Sequence, residues 1–240
     1  MDENLRKDKP NRKRLSLDYY IAGVPALSYF EMQVEGLMEI AASSDVEAGD
    51  LDALAEICFI GLAAYFEAFC KAELAAVNIC PRLLEEFTRK RDCSFTLSEL
   101  LHVAGARHHI GGVLSEHYDF GSARAVNGLF LDLLGISPFS KHEERVYSEF
   151  LNDRNLVVHH GGVYTLKYAA EKFRGSAKMQ KAAPHWQSLV VGKADVLKWA
   201  KFLLEIAKKT SKATHNAVND FVRDKKIKIG SERAKALKLL

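Results

Sequence analysis

The chain has 240 residues, 48% of them hydrophobic, which is enough to build a sizeable core as one large domain or two small ones. A net charge of +3 does not by itself announce nucleic-acid binding, and no run of about 18 apolar residues marks a membrane span. The first 14 residues lack the apolar stretch of a signal peptide, so the expected protein is cytoplasmic, with no membrane partner. Cys58, Cys70, Cys80 and Cys93 form no C-x-x-C pair, so they read as reduced, mostly buried thiols rather than a zinc site or a disulfide frame.

Residues 1–14 form a basic, flexible leader carrying Arg6, Lys7, Lys9, Arg12, Lys13 and Arg14. Leu15 to Ala42 reads as one helix, or as two split at Pro25. After a loop, Asp50 is placed to cap a helix in which Leu51, Leu54, Ala55, Cys58, Leu62, Tyr65, Phe66 and Phe69 keep helical spacing, with Pro81 soon after it. Phe95 to Leu100 has the form of a capping box with a hydrophobic staple, built on Thr96 and Glu99. The short helix that it opens ends near Gly105, and a loop containing glycine and histidine follows. Ala123 to Leu134 is expected as a helix stopped by Gly135. Ser140 and Glu143 form a second capping box, opening a helix that runs to His159 or His160 with Gly161 as its stop. Ser188 to Val191 is a candidate short strand, and Ala194 to about Val222 a long helix. The expected fold is therefore all-α. It is one helical domain over residues 15–222, with a small irregular or β-hairpin insertion between about 162 and 192, and a basic tail over 223–240. The basic ends read more simply as solvated, frayed termini than as phosphate contacts.

The helix that ends at His160 carries the chemistry. On a helical wheel at about 100° per residue, Arg154 falls in the middle of an apolar stripe formed by Val146, Tyr147, Phe150, Leu151, Val157 and Val158. Burying an unpaired arginine there costs several kcal/mol. It needs either a carboxylate, with Glu67 and Glu73 as candidates, or a bound phosphate, which a guanidinium holds through two parallel hydrogen bonds. His159 moves a proton near neutral pH or, more simply, donates to a free carbonyl at the helix end. The wheel puts about 140° between Arg154 and His159. Both reach one substrate only if the groove is wide, the last turn unwinds, or a second subunit completes the site. Leu156, off the apolar face, also suggests a partner surface.

Arg–His spacing alone arises about once or twice by chance in a chain with 9 histidines. The residues around it are more specific. Arg154-Asn155-Leu156-Val157-Val158-His159-His160-Gly161-Gly162-Val163 resembles the R-N-x-x-V-H-x-x-G-[IV] signature of HEPN domains, and is most similar to the branch associated with ribonucleases of bacterial defence systems. Ala64 to Phe69 resembles that branch's early helix. Leu129 to Ile136 stands at the expected distance ahead of Arg154, and Leu189-Val190-Val191 followed by a basic helix also fits. The likeness covers roughly residues 50 to 215 and leaves the first 48 outside it.

The resemblance implies a HEPN-type helical bundle, a homodimer, and a metal-independent endoribonuclease acting as a toxin or defence effector. In it Arg154 and His159 are the catalytic pair and Asn155 is the polar residue beside the arginine. His160 and Lys141 are the candidate RNA contacts. A cognate antitoxin or another defence-system protein is an implied partner; no cofactor and no metal are implied. Toxin members controlled by adenylylation carry a tyrosine two residues after the histidine, where this chain has Gly161, so that control is not expected.

His108, His109, His117, His159 and His160 lack a metal-binding spacing such as H-E-x-x-H. Gly111-Gly112 and Gly161-Gly162 lack the lysine of a phosphate loop and read as turns. Trp186 and Trp199 read as packing residues. Two other readings stand beside the ribonuclease. One is a non-catalytic HEPN-like module that binds nucleic acid, a nucleotide or a protein. The other is a helical dimer in which Arg154 is paired internally.

Overall fold

The computed structural model describes residues 26–47, 49–75, 80–91, 115–173 and 187–230, and these are mostly helical. They form α1 (Ala26–Ala42), α2 (Ala53–Ala75), α3 (Pro81–Lys90), α4 (Ala123–Leu134), α5 (Lys141–His160), α6 (Leu166–Lys172) and α7 (Lys193–Asp224). The capping box at Thr96, Cys93, and the histidines at 108 and 109 lie outside the described residues.

The local signals act where hydrogen-bonding chemistry puts them. Asp52, not Asp50, starts α2: its Oδ1 accepts from the Ala55 amide at 3.0 Å. Pro81 opens α3, where its missing N–H costs nothing. Ser122 caps α4 by accepting from the Ala125 amide at 3.2 Å, and Gly135 ends it at φ 70°. At the start of α5 the box is complete. Ser140 Oγ accepts from the Glu143 amide at 3.3 Å, and Glu143 Oε2 accepts from the Ser140 amide at 2.7 Å.

Helices α1, α2 and α7 pack on one another, and α5 crosses α2 with α4 beside it. Gly61 lets α1 close on α2, because a Cβ there would meet the Leu37 side chain at 3.2 Å. The core is aromatic. Phe66 meets Phe30, Phe139 and Tyr147 with ring centroids 5.4–5.9 Å apart, and Phe150 bridges Phe59 and Trp199 at 5.0 Å each. Asn127 fastens α4 to the start of α5: its Nδ2 donates to the Phe139 carbonyl and to Glu144, and its Oδ1 accepts from the Phe139 amide. Cys58, Cys70 and Cys80 are buried free thiols.

Three features bear on the expectations. The insertion before the last helix, expected as irregular or as a hairpin, shows no paired strands among the described residues. It holds α6 and a single antiparallel bridge, Val163 to Ser188, while Val191 turns into the core. The basic C-terminal stretch is not frayed as far as Asp224. Lys208 pairs with Glu31 at 3.3 Å, Lys209 with Glu143 at 2.6 Å and Lys225 with Glu86 at 3.6 Å, and Ile227 and Ile229 pack against the core. Finally, α2 is by length and composition apolar enough to cross a membrane, with a mean hydropathy of 1.7 over its most apolar window. One side of it is core. The residues it exposes, Ala53, Leu54, Ile57, Ala64 and Ala68, are all apolar as well.

Candidate active site

Arg154, Asn155, His159 and His160 all lie on the last two turns of α5. The helix stays regular to its end. Gly161 and Gly162 adopt φ 56° and 78°, and their amides return to the carbonyls of Val157 and Leu156 at 3.1 and 3.2 Å. Gly162 is also pressed against the other side of the insertion. The Leu189 amide donates to its carbonyl at 2.9 Å, and a Cβ at Gly162 would stand 2.8 Å from the Leu189 carbonyl oxygen. The Tyr164 amide donates to the Gln187 carbonyl at 2.9 Å. The last turn is thus held in place, and unwinding is not available as a way to turn His159 toward Arg154.

Asp153 fixes the back of this helix. It is buried and accepts from the Tyr168 hydroxyl at 2.6 Å and from Lys172 Nζ at 2.8 and 3.0 Å. Burial first, and then the adjacent Asp153 carboxylate, push the Tyr168 phenol up. This clamp of α6 onto α5 was not legible beforehand, because Tyr168 and Lys172 sit in a stretch with no strong periodicity. Leu156 is buried too, at 3% exposure. It is satisfied within the monomer and gives no argument for a partner surface.

Arg154 is half-buried, and neither carboxylate proposed for it is its partner. Glu67 pairs with Lys71 at 2.8 Å, and Glu73 faces Ser211 and Thr214 on α7. Among the described residues Arg154 makes no hydrogen bond or ion pair, and its Nε is buried without an acceptor. Its charge is felt at the Tyr147 phenol, two turns back on the same helix.

Asn155 and His159 are exposed and four residues apart, so they are neighbours on one face with Cβ atoms roughly 5–6 Å apart. Neither side chain is engaged by another described residue. His160 is exposed a further 100° or so around the helix. Lys141, in contrast, is exposed at the opposite end of α5, roughly 27 Å away along the axis at about 1.5 Å per residue. The structure therefore groups Arg154, Asn155, His159 and His160 and leaves Lys141 apart. Among the described residues, no group of three or more His, Cys, Asp or Glu side chains is placed to hold a metal ion.

The end of the bundle that carries this group is also where α2 and α7 begin. Lys193, at the start of α7, acts electrostatically on Asp52, and Leu189 just before it joins Gly162. The pairings of Phe66 with Tyr147 and of Phe59 with Phe150 run α2 and α5 in opposite directions, toward the same end. Leu51, Leu54 and Ile57 near the start of α2, and Val158 and Val163 at the end of α5 and just after it, are exposed at this end. Compared with protein-family models, curated proteins and solved structures, the chain matches none.

Proposed function

We propose that the protein is a metal-independent endoribonuclease of HEPN type, working as a homodimer in the cytoplasm as a toxin or defence effector. The observation that carries this reading is the state of Arg154: a half-buried guanidinium without an acceptor among the described residues, beside an Asn155–His159 pair that is itself unengaged. The Nε is closed off inside the fold, while the outer nitrogens of the guanidinium, uncommitted among the described residues, can take an RNA phosphate.

The chemistry follows from the groups present. The ribose 2′-hydroxyl attacks the adjacent phosphorus. One His159 takes the hydroxyl proton, and the bond to the 5′-oxygen breaks as the His159 of a second subunit gives that oxygen a proton. Arg154 holds the charge that builds on the phosphoryl oxygens, and Asn155 orients the phosphate or the imidazole. The products are a 2′,3′-cyclic phosphate and a 5′-hydroxyl. The angle of about 140° between Arg154 and His159 on a helix that stays regular supports a two-copy site. So do the exposed Leu51, Leu54 and Ile57 at the start of α2, since exposed apolar side chains gathered on one helix mark association sites. Control by a cognate antitoxin or another defence-system protein belongs to the same proposal.

The same angle favours a second reading, a non-catalytic module in which Arg154 grips a phosphate and His159 takes no part. Incubating the purified protein with RNA in EDTA separates the two. Cleavage to cyclic-phosphate ends supports the ribonuclease, and RNA that is bound but stays intact supports the module.

A further inference from the structure

At the end of the bundle away from Arg154, Glu73 on α2 is fully buried, with 0% exposure. Both of its carboxyl oxygens lack a hydrogen-bond partner among the described residues. It stands in the stripe of Phe66, Phe69, Cys70 and Leu74, the helix's most buried face. Across from it, α7 presents Ser211 and Thr214, whose hydroxyls approach the carboxyl and favour its charge without completing hydrogen bonds to it. Thr214 Oγ1 is itself buried and unpartnered, and so is Nδ1 of His215 on the next position. Thr210 does not help, because its hydroxyl is spent on the Ile206 carbonyl at 2.8 Å.

Among the described residues no cation relieves the group. Lys208 and Lys209, one turn earlier on α7, are taken by Glu31 of α1 and Glu143 of α5. Among the described residues Cys70, one turn back on α2, is a titratable neighbour, and His215 follows Thr214 on α7. Burial first, and then the Glu73 charge, push the Cys70 thiol up. Among the described residues no charged side chain acts on Glu73. An ionised carboxylate so placed is severely penalised, whereas a protonated carboxyl can donate to a hydroxyl.

We infer that Glu73 is a proton-gated latch between α2 and α7: its carboxyl packs there when it holds a proton, and losing that proton loosens α7 around Ser211 and Thr214. The working range lies around neutrality, since burial raises the group from an ordinary 4.5 to about 7. A carboxyl raised in the folded state binds its proton more tightly there than in the unfolded chain. Its contribution to stability is full below about pH 4.5, declines above that, and is lost as pH rises through about 7.

Denaturant unfolding of the full chain and of Glu73→Gln, which keeps the shape of the protonated group, reads this directly. From about pH 6 to about pH 8.5 the wild-type unfolding constant is expected to rise roughly tenfold relative to that of the variant. Parallel pH profiles overturn the inference. Should Glu73→Gln fail to fold, carbon-13 NMR titration of the wild-type Glu73 carboxyl decides the matter. A midpoint near neutrality upholds the latch, and one in the ordinary carboxylate range overturns it.

Discussion

The Arg154 side chain offers a test that separates structure from function at a single residue. Its Nε is buried without an acceptor among the described residues. Among the described residues it forms no ion pair, and the methylene stem supplies the packing. Arg154→Met keeps the stem and removes the charge. Its stability should fall by no more than about 1 kcal/mol, or rise, because an unsatisfied donor is removed. Its affinity for RNA should drop strongly at the same time. Thermal melts and RNA-binding titrations of the variant check both halves. A loss of about 3 kcal/mol or more in the melts would mean that Arg154 has a partner inside the fold, as breaking a buried ion pair does. Asp153, next to it, shows the contrast: its carboxylate is committed to Tyr168 and Lys172 and is not available to a substrate.

At the scale of elements, the turn after α5 sets where His159 stands. Gly161 and Gly162 both take positive φ, yet only Gly162 meets a neighbour. Gly161→Ala should cost about 1–2 kcal/mol, the ordinary penalty for a side chain in the left-handed region. Gly162→Ala should cost clearly more, because its Cβ would stand 2.8 Å from the Leu189 carbonyl and push the insertion off the helix end. Denaturant unfolding of the two variants gives the comparison, and equal losses would contradict it. The sequence shows α5 at both ends, because a capping box and a glycine pair are local chemistry that acts within one turn. It shows α4 by its glycine stop and α7 by the helical spacing of its apolar residues. The cap of α2 is misplaced by two residues, because Asp50 and Asp52 are equivalent until packing selects one. The nature of the insertion is not readable. Val163 and Ser188 come together through contacts between residues far apart in the chain, and α6 is held by its docking onto Asp153 rather than by its own propensity. At the site, residue types and spacing pick out Arg154, Asn155 and His159. That Arg154 has no partner among the described residues, and that Leu156 is buried, emerges only once Glu67, Glu73 and α6 have found their places.

For the whole molecule, the face of α2 that is exposed is as apolar as the one it buries. Glu56, Glu67 and Lys71 lie at the half-buried flanks of the helix, and an exposed face that is apolar throughout is of the kind that a partner covers. Leu51, Leu54 and Ile57 are exposed at the start of α2, the end of the bundle at which α5 finishes, so a second copy seated on this face brings two Arg–His groups toward each other. Ile57 is 64% exposed, so Ile57→Lys should leave the melting temperature of the isolated subunit unchanged. It should nevertheless convert a dimer to a monomer in light scattering and reduce RNA cleavage with it. A wild-type chain that stays monomeric at high micromolar concentration would remove the two-copy mechanism.

The central claim is that His159 transfers a proton while the RNA's own 2′-hydroxyl attacks. The most direct test is the cleavage rate, in EDTA, of an RNA strand and of the same strand with one 2′-deoxy sugar at its cleavage site, using wild-type protein and folded His159→Ala. The account predicts that wild type cuts the all-RNA strand, leaves the deoxy position intact, and loses about 10²–10⁴ in rate on His159→Ala. Unchanged cleavage by His159→Ala, or equal cutting at the deoxy position, would contradict it.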